Sequence, residues 1–237
     1  MLEAYTALGF IAACTSRLQV GTVVTSATYR HPGILVKQVT TLDVLSGGRA
    51  FFGVGAGFYE REHVGLGVEL LPVAERMRRL EETLQIALQM WRGEAREYRG
   101  KIFTLAETMN VPQSIQRPHP PILIGGGGEK KTLRLVAQYG DATNLFGAMP
   151  PEQLQHKLDV LREHCGREGR DYDSIEKTVQ FQMDVTGGGD ATGPMVERLG
   201  QLSQMGFTRA IGSVREVEKL VPLEVLGREV IPQVAAL

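Results

Sequence analysis

From Leu18 to the carboxyl end the chain alternates, several times over, between a short apolar or β-branched run and a segment with helical spacing. That alternation limits the fold more than any single residue does. Apolar runs of strand length, each followed by an amphipathic helix, bury their surfaces by forming a parallel sheet covered by helices. The strand runs are Leu18 to Thr25, Ala50 to Gly55, Pro121 to Ile124, Asp141 to Leu145, about Thr178 to Val185, and Phe207 to Ile211. Helical spacing is read from about Glu3 to Thr15, after His31-Pro32 as far as Leu45, and from about Pro72 to Trp91. It returns from about Glu129 to Tyr139, Pro151 to Glu168, Pro194 to Met205, and from about Glu216 onward. Gly47-Gly48 closes the second helix, and Gly187-Gly188-Gly189 is a break.

The stretch 92–121 interrupts the rhythm with prolines and turn formers, and reads as an insertion packed over the barrel with a short strand pair. The rest reads as a single domain over 1–237. Two architectures satisfy the alternation, a (β/α)8 barrel and a doubly wound sheet, and periodicity alone does not separate them. A full barrel has eight strands and typically about 250 residues. This chain opens on a helix and supplies about six strands, so as a barrel it reads as incomplete at its amino end.

Charge narrows the partners. With 26 Lys and Arg against 27 Asp and Glu the formal net charge is -1, too weak a field to gather nucleic acid or an anionic membrane. No apolar run reaches the ~20 residues of a membrane span, and the first residues lack the pattern of a signal peptide. Cys14 and Cys165 both fall in helical segments, which argues against a disulfide framework and for a cytoplasmic setting.

The sharpest local feature is a buried-strand pattern, Ile122-Leu123-Ile124, followed by Gly125-Gly126-Gly127-Gly128 and a helix start. Glycines let a ligand approach the peptide N–H groups, and a helix amino end favours an anion. Four glycines exceed the needs of a tight turn, so the loop reads as a phosphate site. The lysine and threonine that follow stand wrongly for a nucleotide P-loop. A second glycine loop, Gly53-Val54-Gly55-Ala56-Gly57, follows another strand but misplaces the third glycine of a dinucleotide fingerprint. Two such loops at the carboxyl ends of different strands reinforce each other, because both architectures bind ligands there.

Ionisable residues are harder to place. His31 precedes Pro32 and suits a helix start better than catalysis. Glu60-Arg61-Glu62-His63 reads as a solvated, charge-balanced loop, since the partners of a metal set are missing. His119, His156 and His164 read as surface residues, and the charges between Glu75 and Glu82 as a solvated helix face.

Four stretches, taken in order, resemble the luciferase-like monooxygenase superfamily, and within it the oxidoreductases that use the deazaflavin coenzyme F420. They are Gly21-Thr22-Val23-Val24-Thr25, Thr41-Leu42-Asp43-Val44-Leu45-Ser46-Gly47-Gly48-Arg49, Gly53 through Glu62, and Pro121 through Gly128. The resemblance implies a TIM-type (β/α)8 barrel, here lacking its first strand, helix and second strand, with the coenzyme at the carboxyl ends of the strands. It implies a bulge with a non-prolyl cis peptide at Val23-Val24, next to Thr25, against the coenzyme's central ring. Gly55, Ala56 and Gly57 would lie beside the coenzyme, and Gly125 to Gly128 would hold its phosphate. At position 58 some sugar-phosphate-oxidising relatives carry an acidic Glu, whereas this chain has Phe58, so the resemblance assigns no catalytic residue. The implied function is hydride transfer between deazaflavin and a small organic substrate in a dimeric enzyme without a metal. The alternatives are an FMN-dependent monooxygenase and a non-catalytic flavin-binding or partner subunit.

Overall fold

The computed structural model describes residues 2–186 and 189–237. The chain opens on helix α1 (Ala4–Cys14) and then forms two strand fragments in series, β1 (Val20–Gly21) and β2 (Thr25–Ser26). Helix α2 (Pro32–Ser46) leads to strand β3 (Ala50–Gly55), the short helix α3 (Glu60–Gly65) and the long helix α4 (Val73–Trp91). An antiparallel pair, β4 (Tyr98–Arg99) with β5 (Thr104–Leu105), lies in the insertion. Then follow β6 (Ile122–Gly125), α5 (Thr132–Tyr139), β7 (Ala142–Phe146), α6 (Pro151–Glu168), β8 (Glu176–Gln180), α7 (Gly189–Gln204) and β9 (Arg209–Ile211). The chain ends in α8 (Val221–Val225), a π-helical turn over 226–230 and α9 (Ile231–Val234).

Both β1 and β2 pair with β3, and the sheet continues through β6, β7, β8 and β9, with every neighbouring pair parallel. This is a half-barrel with six strand positions. The sheet curls far enough for Arg209 on β9 to donate to the Gln19 side chain, just before β1, at 2.8 Å. No helix among the described residues is long and apolar enough to cross a membrane.

The core follows from the alternation. Phe52, Val54, Ile122 and Ile124 are buried with Leu35, Val39, Leu80 and Leu84 from α2 and α4. A second cluster joins Leu145 and Val179 to Leu133, Leu154 and Leu158 from α5 and α6. Each fully buried aliphatic side chain stabilises by about 1.5–3 kcal/mol, enough in sum to fix which face of every helix turns inward.

The structure departs from the sequence expectations in particular places. The first strand is not continuous from 18 to 25 but broken between Gly21 and Thr25. Helix α5 starts at Thr132 rather than Glu129, because the glycine loop runs on and the Leu133 N–H turns back to the Gly128 carbonyl at 3.0 Å. Helix α7 starts at Gly189 with Pro194 inside it, ahead of the expected Pro194 start, and of the expected triple-glycine break Gly187-Gly188 lies outside the described residues. The insertion, with the expected short strand pair, is fastened to α2 at Asp43, to α4 at Glu82 and to the start of β3 at Ala50.

Buried carboxylates do the fastening. Asp43 on α2 is fully buried and accepts from Ile115 N–H at 2.6 Å, Gln116 N–H at 3.0 Å and Gln116 Nε2 at 2.7 Å. The same Gln116 amide also reaches the Ala50 carbonyl at 2.7 Å. Glu82, expected on a solvated face, is buried and accepts from the backbone N–H groups of Lys101, Ile102 and Phe103. Arg49 closes the helix ends from the other side, donating to the carbonyls of Ala12, Thr15, Leu18 and Ser46 at 2.6–2.9 Å. The stretch from Thr41 to Arg49 is therefore a fastener. Asp43→Ala removes the acceptor of two part-buried N–H groups and of the Gln116 amide, and is expected to lower unfolding free energy by about 3 kcal/mol in urea denaturation. A loss under about 1 kcal/mol, the net worth of one ordinary hydrogen bond, would contradict this role.

Candidate functional site

The carboxyl ends of β2, β3, β6 and β7 surround a cleft of about 360 Å³, within the ~300–1,000 Å³ common for small-molecule sites. Val23, Val24, Thr25, Gly55, Ala56, Gly57 and Gly125 to Gly128 all line it. Residues as far apart as 23 and 128 in sequence thus meet in one place.

The broken first strand shapes the floor. The Val23–Val24 peptide bond is cis, at the bulge that the resemblance implied. Thr22 Oγ1 donates to the Gly53 carbonyl at 2.7 Å, and a Cβ on Gly53 would collide with the Thr22 carbonyl. Val24 turns its side chain between two glycines. A Cβ on Gly55 would stand 2.9 Å from Val24 Cγ2, and one on Gly125 would stand 2.9 Å from both Val24 methyls. Gly57, with φ of 77°, would drive a Cβ into Ser26 Oγ. Around the Val24 side chain only bare backbone fits beneath the cleft.

The glycine loop is less uniform than its sequence. Gly126, at φ 120°, donates its N–H to the Asn144 carbonyl at 3.0 Å, so that amide is used by the sheet. The N–H groups of Gly127 and Gly128 have no partner among the described residues. Behind them Thr132 Oγ1 lies where a Cβ on Gly128 would come within 2.8 Å, at the amino end of α5. Lys157 from α6 runs alongside Gly127 and pairs with Glu129. That ammonium, with His156 beyond it, holds the Glu129 carboxyl below its ordinary range. His164 Nε2 donates to the Glu129 carbonyl at 2.8 Å. His164 is buried, against expectation, because it ties the glycine loop to α6.

A hydroxyl and imidazole chain forms the opposite wall. Glu60 to His63 lie in helix α3 rather than in a solvated loop, and His63 is fully buried. His63 Nδ1 is 2.8 Å from the Tyr59 carbonyl, so it donates there. On the neutral ring Nε2 then accepts from Thr28 Oγ1 at 2.8 Å. With the Thr28 hydroxyl proton so committed, Ser26 Oγ donates to Thr28 Oγ1 at 2.6 Å and accepts from the Thr28 N–H at 3.3 Å. Tyr29 lies 4.6 Å from the His63 ring, centroid to centroid, and donates its hydroxyl to Glu62 at 2.7 Å. Burial first, then the bond to Glu62 and its charge, push the Tyr29 hydroxyl up to about 12. Ser26, Tyr29, Tyr59 and Glu62 line the cleft beside the glycines.

The sequence reading missed Tyr29, Glu62, His63, Asn144 and Phe146. A signal existed for the last two, since they end a parallel strand at the face where such sheets bind ligands. Of the other histidines, His31 caps α2 by accepting from Gly33 N–H at 3.3 Å, His119 stacks on Trp91 at 5.6 Å, and His156 is exposed beside Glu129. A larger, mostly apolar cavity of about 680 Å³ lies between α7, β9 and the carboxyl-terminal helices. It is on the outer face of the sheet, away from both glycine loops, so the smaller cleft is the candidate site. No cluster of three or more His, Cys, Asp or Glu among the described residues could hold a metal.

The profile of a family described as luciferase-like monooxygenase matches residues 1–187. An uncharacterised protein of Mycobacterium tuberculosis is 34% identical over 211 residues, 89% of this chain and 68% of that protein. A protein of Microbacterium testaceum named F420-dependent glucose-6-phosphate dehydrogenase is 31% identical over 178 residues, 74% of this chain. This chain spans only 52% of that relative's length. Among solved structures, a coenzyme F420 dependent tetrahydromethanopterin reductase from Methanopyrus kandleri superposes with a TM-score of 0.83 at 20% identity, covering 98% of this chain and 87% of that one. That likeness shows the fold.

Two measurements test the geometry. Gly125→Ala is expected to cost about 1–3 kcal/mol by overpacking against Val24. Val24→Ala in the same chain should recover part of that loss, and strictly additive losses in urea denaturation would contradict the wedge. For Tyr29 the raised value means a stabilising contribution fully present below pH 10 and lost as pH rises through about 12. An ultraviolet difference titration against Tyr29→Phe should show its phenolate step near 12, and a step near 10 would contradict the bond to Glu62.

Proposed function

The chain belongs to the luciferase-like monooxygenase family, and from that premise we propose that it is an oxidoreductase that binds coenzyme F420 and moves a hydride between it and a small organic molecule. The observation that carries this reading is the convergence of Val24, the Gly55 to Gly57 loop and the unpaired Gly127 and Gly128 amides on one cleft at the carboxyl ends of parallel strands. The name of the Microbacterium testaceum relative supports the choice of coenzyme.

The residues fit such a group. A flat ring needs bare backbone on one side, and the glycines around Val24 leave no space for side chains of their own. An anionic tail needs donors without partners, which Gly127 and Gly128 offer among the described residues, next to the amino end of α5 and the Lys157 side chain. When bound, the coenzyme supplies a carbon that accepts or releases a hydride. The chain's part is to grip the tail through amides, to set the ring against Val24, and to hold the substrate on the side of Tyr29 and Phe146.

Fluorescence titration of the purified chain with F420 tests this. Gly127 has no positive φ, and a Cβ there meets only ordinary contacts at 3.7 Å or more, so Gly127→Asp tests charge rather than folding. It is expected to weaken F420 at least about tenfold, or 1.4 kcal/mol, with urea stability unchanged. Unaltered affinity would remove the tail from this loop. Tighter binding of FMN, with turnover on O2, would make the protein a monooxygenase; binding of neither would make it a non-catalytic subunit.

A further inference from the structure

The cleft is short of positive charge. Among the described residues that line it, Glu62 carries the one formal charge and no Lys or Arg is present. Arg61, Lys130 and Lys131 are exposed outside its lining, and the cations packed against its walls are engaged there. Arg30 donates to Thr25 Oγ1 at 3.2 Å and pairs with Glu3. Arg76 donates to the Leu71 and Gly57 carbonyls. Lys157 pairs with Glu129 beside the glycine loop, on the side given to the coenzyme's own anion. A phosphorylated substrate would therefore lose its hydration and meet a carboxylate instead of a cation, which is unfavourable at this range.

What the free side offers is aromatic. Phe58 is 76% exposed, Tyr59 51% and Phe146 50%, and all three rim the cleft. Large aromatic side chains left this open around a concave site mark a surface built to be covered. The polar group among them is directional: the Tyr29 proton is committed to Glu62 and one lone pair faces His63 Nδ1 at 3.3 Å, so the Tyr29 oxygen has one lone pair left for a donor.

We propose, resting on the F420 reading above, that the substrate is an uncharged apolar alcohol, and that Phe58, Tyr59 and Phe146 set this preference while Tyr29 accepts from its hydroxyl. The sugar phosphate named for the Microbacterium testaceum relative is not this chain's substrate.

The test is calorimetric titration of protein loaded with reduced F420, using cyclohexanol and glucose 6-phosphate. Neither can react with a coenzyme that is already reduced, so binding alone is read. Cyclohexanol is expected to bind at least about tenfold tighter than glucose 6-phosphate. Phe58→Ala and Phe146→Ala, exposed positions where truncation leaves the fold intact, should each weaken cyclohexanol about fivefold. Phe58→Lys should strengthen glucose 6-phosphate about tenfold, a gain lost in high salt. Equal or tighter binding of glucose 6-phosphate to the unsubstituted protein, or no binding of cyclohexanol, overturns the substrate class and leaves the coenzyme reading standing. Failure to load F420 at all overturns both.

Discussion

The half-barrel rests on a close approach of main chain to main chain at its first strand. Between β1 and β2 the chain leaves the pleated path, lays the Thr22 carbonyl over Gly53, and inserts the Val24 side chain between Gly55 and Gly125. Each neighbour in that contact must be glycine, since an added Cβ would overlap Val24 or the Thr22 carbonyl. Three strands, β2, β3 and β6, are held in mutual position by the wedge and their ladders. The floor of the cleft is their exposed backbone, so a requirement of packing and a capacity for binding reside in the same atoms.

The fastening lies elsewhere and obeys a different rule. Asp43 and Glu82 are buried carboxylates whose oxygens are occupied by backbone N–H groups of the insertion, and Arg49 occupies carbonyls at the ends of α1 and α2. A buried charge is tolerable when hydrogen bonds replace its hydration, and here they do so many times over. These groups keep helices and insertion in register at the amino side of the sheet. The carboxyl side is thereby left open, although its loops are tied down at Gly57, Gly126, Glu129 and Gly147.

The two walls of the cleft differ in consequence. One is a run of amides and a helix end with Lys157 behind it, suited to an anion. The other is a carboxylate, ordered hydroxyls and exposed aromatic rings. An elongated molecule with an anionic tail and a flat neutral head suits the first wall and the floor, and leaves the second wall for a partner of little charge.

Strand-and-helix alternation, the two glycine loops and the Pro-rich insertion were legible in the sequence because each is written in neighbouring residues. Periodicity places apolar side chains on one face, and runs of glycine announce backbone that must bend or lie bare. The family resemblance carried the bulge at Val23-Val24, which no local pattern announces. What the sequence concealed was every role that depends on a distant partner. Asp43 looked like part of a helix until Gln116 arrived from 73 residues away. Glu82 and His63 looked solvated until the insertion and Thr28 covered them. Gly126 and Gly127 looked alike until Asn144 claimed the first. Local spacing therefore determined which elements form and in what order, while tertiary packing decided which polar groups are spent on holding the fold and which remain to meet a ligand. A hydrogen bond between residues far apart in the chain leaves no trace in the periodicity of either.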